Sequence, residues 1–449
     1  MRWAIRSLKL VCVVLLALIV GGGAWLFFRP PELLRVGSGY AAKIVCSNVF
    51  IAGRDADEVL AIDVQAPGNP LLRLMRVSVD RETAHVHAAL LGFLAGNDAV
   101  YREGHGCAVT NTPDRLLKAI ADRRPQPAAG PSALWPDGEE AESDQAVATV
   151  LSDTALTGEG MRAVVIVKNG RIVGEAYGSG FSKDVPLLGW SMTKTVNAAI
   201  LGRLLAENKV SLGDRDLLPE WHGDARRDIT LANLLAMESG LAFNEDYGTV
   251  ADVTRMLYLE DDSAGFAASS PLEAEPGTRF SYSSGTAVLL ARIWMNRFGD
   301  QGAAEAYPAH ALFQPLGMQS AVLEADAVGT FAGSSYLYAT ARDWARFALL
   351  LAQDGIWQGS RLLPEGFVAM MQVPNAHSGG RYSRMQTWLP APGNRLMPTG
   401  TFLMQGHDGQ TIAINPALNL VVVRMGLTPS WNHYDPSPLI AAVAKAAKR

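Results

Sequence analysis

Ser191 and Lys194 stand three residues apart in Gly189-Trp190-Ser191-Met192-Thr193-Lys194, a spacing that carries chemistry if the segment opens a helix. An i, i+3 pair shares one helical face within a turn, so the amine could take the serine proton. A helix N-terminus adds partial positive charge and free backbone N–H groups, which favour an alkoxide and then the oxyanion of a tetrahedral intermediate. The string occurs once in the chain. By itself it also fits an N-cap serine followed by a surface lysine. Further along come Phe280-Ser281-Tyr282-Ser283-Ser284-Gly285, a tyrosine among hydroxyls, and Gly406-His407-Asp408-Gly409, just ahead of an apolar segment that starts at Gln410. An acyl-enzyme reaction needs an activated nucleophile, an acid–base group beside it and preorganised donors for the oxyanion. These three segments hold residue types for each role.

Such segments need elements to hold them. The β-branched run 161–167, the dipeptide Asn169-Gly170 that supplies the positive φ of a tight turn, and the return 171–177 predict a β-hairpin. Near the C-terminus, 411–415 and 420–425 flank Pro416-Ala417-Leu418-Asn419, which predicts a second antiparallel pair before an alanine-rich helix at about 439–448. Helical periodicity covers 193–208, 231–237, 286–298 and 340–354. Strands at both ends with helices between them predict an α/β (α+β) fold: an antiparallel sheet flanked by helices, with a helical subdomain. Ahead of it, 33–122 alternates strand-like pieces, 43–51 and 71–79, with glycine-rich turns and holds no cluster of catalytic residue types. It is expected to be a small accessory region. The stretch 123–145, with Pro125, Pro127, Pro131 and Pro136 ahead of an acidic run, has the composition of a linker, and the motif-bearing domain would span 146–449.

Over 449 residues, 49% hydrophobic and 18% charged, the composition is that of a globular protein. Lys+Arg 39 against Asp+Glu 44 leaves a net charge of −5. Without a basic excess to neutralise a run of phosphates, a dedicated nucleic-acid binder is disfavoured. Three cysteines exclude a disulfide scaffold, and the histidines show no paired metal-binding spacing, so no metal or other cofactor is expected. Arg2, Arg6 and Lys9 precede an uncharged apolar run, 10–28, about as long as a helix needs to cross a bilayer. It reads as a transmembrane anchor within 1–29. A cleaved signal peptide ending near Gly22-Gly23-Ala24 is the alternative, but Trp25-Leu26-Phe27-Phe28 continue the apolar run past that point. Under either reading the basic residues stay inside and everything after Arg29 is exported, to the periplasmic or extracellular side. Cys46 and Cys107 would then lie where thiols pair, and a Cys46–Cys107 disulfide is expected.

The three chemical segments resemble, in order and setting, the S-x-x-K, Y-x-N and K-T-G motifs of the serine β-lactamase and penicillin-binding-protein superfamily. Glu238-Ser239-Gly240-Leu241 and Glu275-Pro276-Gly277-Thr278 add to the likeness, which covers about 151–449. It is closest to the branch of class C β-lactamases, family VIII carboxylesterases and 6-aminohexanoate-dimer hydrolases. The resemblance implies Ser191 as nucleophile, Lys194 as its activating partner and Tyr282 as the proton shuttle to the leaving group. It puts His407 at the head of the third motif, ahead of Gly409, and makes the backbone N–H groups of Ser191 and Gln410 the oxyanion hole. Whether lysine or tyrosine is the base stays open, since such a lysine serves only if its surroundings lower its pKa.

Two departures bear on the substrate. Ser284 stands where the family has an asparagine that helps hold a substrate amide, and His407 where it has a lysine that pairs with a substrate carboxylate. An imidazole, with an ordinary pKa of about 6.5, is mostly neutral at physiological pH. The expected substrates are therefore small esters, short amides or peptides, with esterase or amidase action ahead of β-lactamase or D,D-peptidase action on the cell wall. Glu245, Asp246 and Glu260-Asp261-Asp262 could line the pocket and attract an amine, although loop charges of this kind ordinarily face solvent. No G-x-S-x-G elbow is present. The non-enzyme alternative is an inactive envelope-binding relative, which would be expected to have lost Ser191, Lys194 or Tyr282.

Overall fold

The structure, a computed structural model, describes residues 27–117 and 133–447 continuously, with a few positions before residue 23. The expected anchor therefore lies almost wholly outside the described residues. Among the described residues no helix is long and apolar enough to cross a membrane.

From Glu32 the chain forms a helix, α1 (Glu32–Phe50), and a four-stranded antiparallel meander: β1 (Met75–Asp80), β2 (His85–Leu90), β3 (Leu94–Arg102) and β4 (Gly106–Thr110). The expected strand at 43–51 is corrected, because these residues complete α1. Burial is the reason. The second half of α1 is covered on all sides, so apolar residues run on continuously and periodicity no longer separates helix from strand. Of the other expected strand, 71–79, the part from Met75 is β1, and a 3-10 turn precedes it.

One side of α1 lies on the meander, where Cys46 is joined to Cys107 of β4 by the expected disulfide, with Cα atoms 6.1 Å apart. Its other side meets the rest of the molecule. Lys43 Nζ pairs with Glu324 Oε2 at 2.9 Å, Ser47 Oγ donates to Glu324 Oε1 at 2.9 Å, and Asn48 donates to the Tyr338 hydroxyl at 3.3 Å. The region thus shares one hydrophobic core with the motif-bearing part.

Residues 123–132 of the expected linker lie outside the described residues, whereas 133–145 are packed and not free. Trp135 is buried, with the Arg346 guanidinium 5.6 Å from its ring centroid. Glu139 pairs with both Arg342 and Arg346, two buried cations that need a carboxylate. The N–H groups of Glu142 and Asp144 then donate to the carbonyls of Ile172 and Val173, which ties the segment to a strand edge.

Asp144 caps α2 (Gln145–Leu151), and β5 (Met161–Lys168) and β6 (Arg171–Tyr177) form the expected hairpin about Asn169-Gly170. The helices of the middle region include α3 (Thr193–Ala206), α4 (Leu231–Leu235), α5 (Ser284–Met295) and α6 (Ala341–Ala352). Strands β7 (Phe402–Gln405), β8 (Thr411–Asn415) and β9 (Leu420–Gly426) and the last helix, α7 (Ser437–Ala446), close the chain. The sheet runs β7-β8-β9-β5-β6 and is antiparallel throughout. Successive side chains point to opposite faces. Val164, Ile166 and Val422 pack with α2 and α7, while Val165, Val167, Val421 and Val423 face α6. With both faces covered, the central strands read as unbroken apolar runs.

Candidate active site

The chain reaches Ser191 through a tight turn, Trp190–Met192, that runs straight into α3. Trp190 has φ 47°, a left-handed conformation that bulky residues rarely adopt and that surrounding structure must enforce. Its ring packs against Tyr336 and His407, with centroids 5.7 and 5.5 Å away. Two glycines allow the approach. A Cβ on Gly189 would stand 2.2 Å from the Trp344 ring, and one on Gly406, just after β7, would stand 2.3 Å from the Gly189 carbonyl oxygen. The edge of the sheet therefore touches the turn that carries Ser191.

Lys194, on the first turn of α3, is buried. Its Nζ lies 3.1 Å from Ser191 Oγ, 3.1 Å from Ser284 Oγ and 3.0 Å from the Ser334 carbonyl oxygen. The amine also sits 4.8 Å from the centroid of the Tyr282 ring. Burial lowers the Lys194 pKa to about 8, and the charge of Glu245 partly offsets that fall. Glu245 acts through Ser284: its Oε1 accepts from Ser284 Oγ at 2.5 Å and its Oε2 from the Ser284 N–H at 2.8 Å. An amine with a pKa near 8 is about a tenth neutral at pH 7, enough to accept a proton from a hydroxyl beside it.

Ser283 caps α5 by accepting the Thr286 N–H, which puts Tyr282 just ahead of the helix and Ser284 in its first turn. Burial pushes the Tyr282 pKa well above the ordinary tyrosine value, and Tyr382 adds to the rise, while a hydrogen bond to the Ser191 side chain opposes it. The phenol therefore rests protonated. Its ring packs on Tyr382 and Trp388, with centroids 5.7 and 5.2 Å away.

His407 opens the turn between β7 and β8. Its ring stacks on Tyr247 at 5.7 Å, and the Tyr247 hydroxyl lies 3.4 Å from Ser284 Oγ. His407 Nε2 is also 3.3 Å from Asp408 Oδ1, so the imidazole is both tied to its neighbour and half-exposed at the site. The Gly409 carbonyl accepts from Arg424 at 3.0 Å. The side-chain amide of Gln410 exchanges hydrogen bonds with the Gly426 backbone, and the Gln410 main-chain carbonyl accepts from the Gly406 N–H at 2.9 Å. Those bonds fix the peptide that leads into β8.

Ser191, Lys194, Tyr282 and Ser284 thus form one contiguous cluster. His407 joins it through Tyr247, and Gly409 and Gln410 belong to the turn and strand start next to it. Sequence reasoning missed Tyr247 and the part played by Ser334, whose contribution is a main-chain oxygen and leaves no signal in residue type. Glu245 was visible as a loop acid but not as the partner of Ser284, since nothing in the spacing links the two. Among the described residues no group of three or more His, Cys, Asp or Glu is placed to hold a metal ion.

A β-lactamase family model matches residues 154–445, and the chain belongs to that family. The 6-aminohexanoate-dimer hydrolase of Paenarthrobacter ureafaciens is 23% identical over 294 residues, 60% of this chain and 72% of that protein. A solved Bacillus anthracis structure, provisionally named a 6-aminohexanoate-dimer hydrolase, aligns with a TM-score of 0.54 at 24% identity, covering 72% of this chain and 87% of that one. A family VIII carboxylesterase aligns with a TM-score of 0.53 at 19% identity, covering 67% and 96%. These structures share the fold, an antiparallel sheet with helices of the β-lactamase and transpeptidase type. The segment with α1 and β1 to β4 precedes the family match.

Proposed function

We propose that the chain is a serine hydrolase that forms an acyl-enzyme on Ser191 and acts on small esters or short amides. The observation that carries the proposal is the buried Lys194 amine, its pKa lowered to about 8, at 3.1 Å from Ser191 Oγ. In this reading Lys194 takes the Ser191 proton as Oγ attacks the carbonyl carbon. Tyr282, protonated at rest, passes a proton to the leaving oxygen or nitrogen, and the oxyanion meets the backbone N–H groups of Ser191 and Gln410. Water then attacks the acyl carbon while the same groups work in reverse.

The names of the two relatives and of the carboxylesterase support amide and ester substrates. His407 supports neutral groups beside the scissile bond, because no permanent cation stands there to pair with the carboxylate of a penicillin or D,D-peptide. We also propose that the domain is exported and held at the membrane by the apolar N-terminal segment. The supports are that run of sequence and the Cys46–Cys107 disulfide, a linkage of oxidising compartments. Ser191→Ala should abolish turnover of p-nitrophenyl acetate without lowering the thermal unfolding temperature. Turnover comparable to the unmutated protein would refute the nucleophile.

A further inference from the structure

A cavity of about 560 Å³ opens beside the candidate site, within the range of roughly 300–1,000 Å³ usual for small-molecule pockets. Trp190, Tyr247 and His407 line its inner end. Trp190 precedes Ser191, and the Tyr247 hydroxyl lies 3.4 Å from Ser284 Oγ, so one side chain separates this end from the candidate site. The outer wall comes from another part of the chain: Val36 and Gly37 of α1, Leu71 and Leu72 in the turn before β1, and Met75 of β1, with Trp431 among the residues at the rim. All but Trp431 precede the family match. Leu71 is 39% and Trp431 60% exposed, so the apolar lining continues to the mouth. Open apolar surface of this kind marks a place for an apolar ligand. The charged groups on the lining, Asp246 and Asp408, are acidic and disfavour a chain that carries its own carboxylate.

Position selects the side of the substrate. In the hydrolase reading Tyr282 serves the leaving group, and neither it nor its ring neighbours Tyr382 and Trp388 line this cavity. The cavity opens instead beside Trp190 and His407. We infer that it receives the acyl chain, and that the substrates are neutral esters or amides of a medium-length fatty acid, with α1 and β1 as the specificity wall. This inference rests on the hydrolase reading above.

The chain-length profile tests it. With the full chain, kcat/KM for p-nitrophenyl acetate, butyrate, hexanoate and octanoate should climb, since burying each methylene is worth about fourfold. Gly37→Leu should lower the octanoate-to-acetate ratio about tenfold or more. Its new side chain enters the cavity from α1, where a Cβ already meets Met75 Cε at 2.9 Å and Leu72 Cδ2 at 3.3 Å. Leu71→Asp, at the exposed rim where the core is not disturbed, should lower the ratio in the same direction. A flat or falling profile, or a ratio unchanged in both variants, overturns the inference. Methyl octyl ketone, a neutral chain with no scissile bond, separates this failure from that of the hydrolase reading. Calorimetric titration should show that the ketone binds the unmutated protein and binds Leu71→Asp about tenfold more weakly. Absent binding overturns the pocket even where acetate is cleaved. Binding without turnover of any ester supports the pocket and overturns the hydrolase.

Discussion

Glu245→Gln isolates the electrostatics of the proposed base. The carboxylate reaches the Lys194 amine through Ser284 Oγ, over contacts of 2.5 and 3.1 Å. At a separation of about 5 Å, an effective dielectric constant of roughly 20–40 gives an attraction of about 1.5–3 kcal/mol, or about one to two pKa units. Glu245 is only half-buried, and screening by water favours the lower end. The sign follows from the charges: the anion stabilises the ammonium form, so its removal should take the Lys194 pKa from about 8 down by about one unit. A reaction that needs the neutral amine gains rate as pH rises through that pKa. The rising limb of kcat/KM should therefore centre near pH 8 in the unmutated protein and about one unit lower in the variant. Glutamine keeps one acceptor for Ser284, and the lost charge at the start of α5 should cost about 0.3–1 kcal/mol of stability. The assay is the pH dependence of p-nitrophenyl acetate turnover, corrected for spontaneous hydrolysis. A limb that stays in place or moves upward, or an unmutated profile that falls above pH 8, would refute Lys194 as the base.

Two further results follow from the same geometry. Lys194→Ala and Tyr282→Phe should each reduce kcat by about 10²–10⁴-fold, the usual worth of a positioned acid or base; a loss confined to KM would show that they only bind. His407→Lys should restore a cation beside the pocket and raise kcat/KM for nitrocefin relative to a neutral p-nitrophenyl ester, with ester turnover level or lower. An unchanged ratio would mean that this position does not address the group next to the scissile bond.

The motif-bearing fold was legible because its strands and helices carry their own local signals. Asn169-Gly170 marks the hairpin, and α6, although wholly buried, keeps an amphipathic period because Arg342, Asp343 and Arg346 on one side form ion pairs with each other, Glu139 and Glu175. The second half of α1 was not legible, since a helix enclosed on every side loses the polar stripe that gives its period. The packing of 133–145 was hidden for a different reason: Arg342 and Arg346 sit some two hundred residues away and supply the partners that an acidic, proline-rich stretch lacks within itself. Within the site, Ser191 and Lys194 share a suggestive spacing, and the resemblance of three ordered segments to the family's motifs singles out Tyr282 and His407 beside them. Glu245 and the wall formed by α1 and β1 do not, because their contribution depends on contacts between distant segments.

In the proposed mechanism Ser191 is the residue that becomes acylated. Labelling the full chain with a fluorophosphonate and mapping the adduct by peptide mass spectrometry tests it most directly, with a fluorescent penicillin applied to the same sample. One phosphonylated residue, Ser191, with the adduct absent from Ser191→Ala and little labelling by the penicillin, is the predicted result. An unlabelled protein, or an adduct on any other serine, would contradict it.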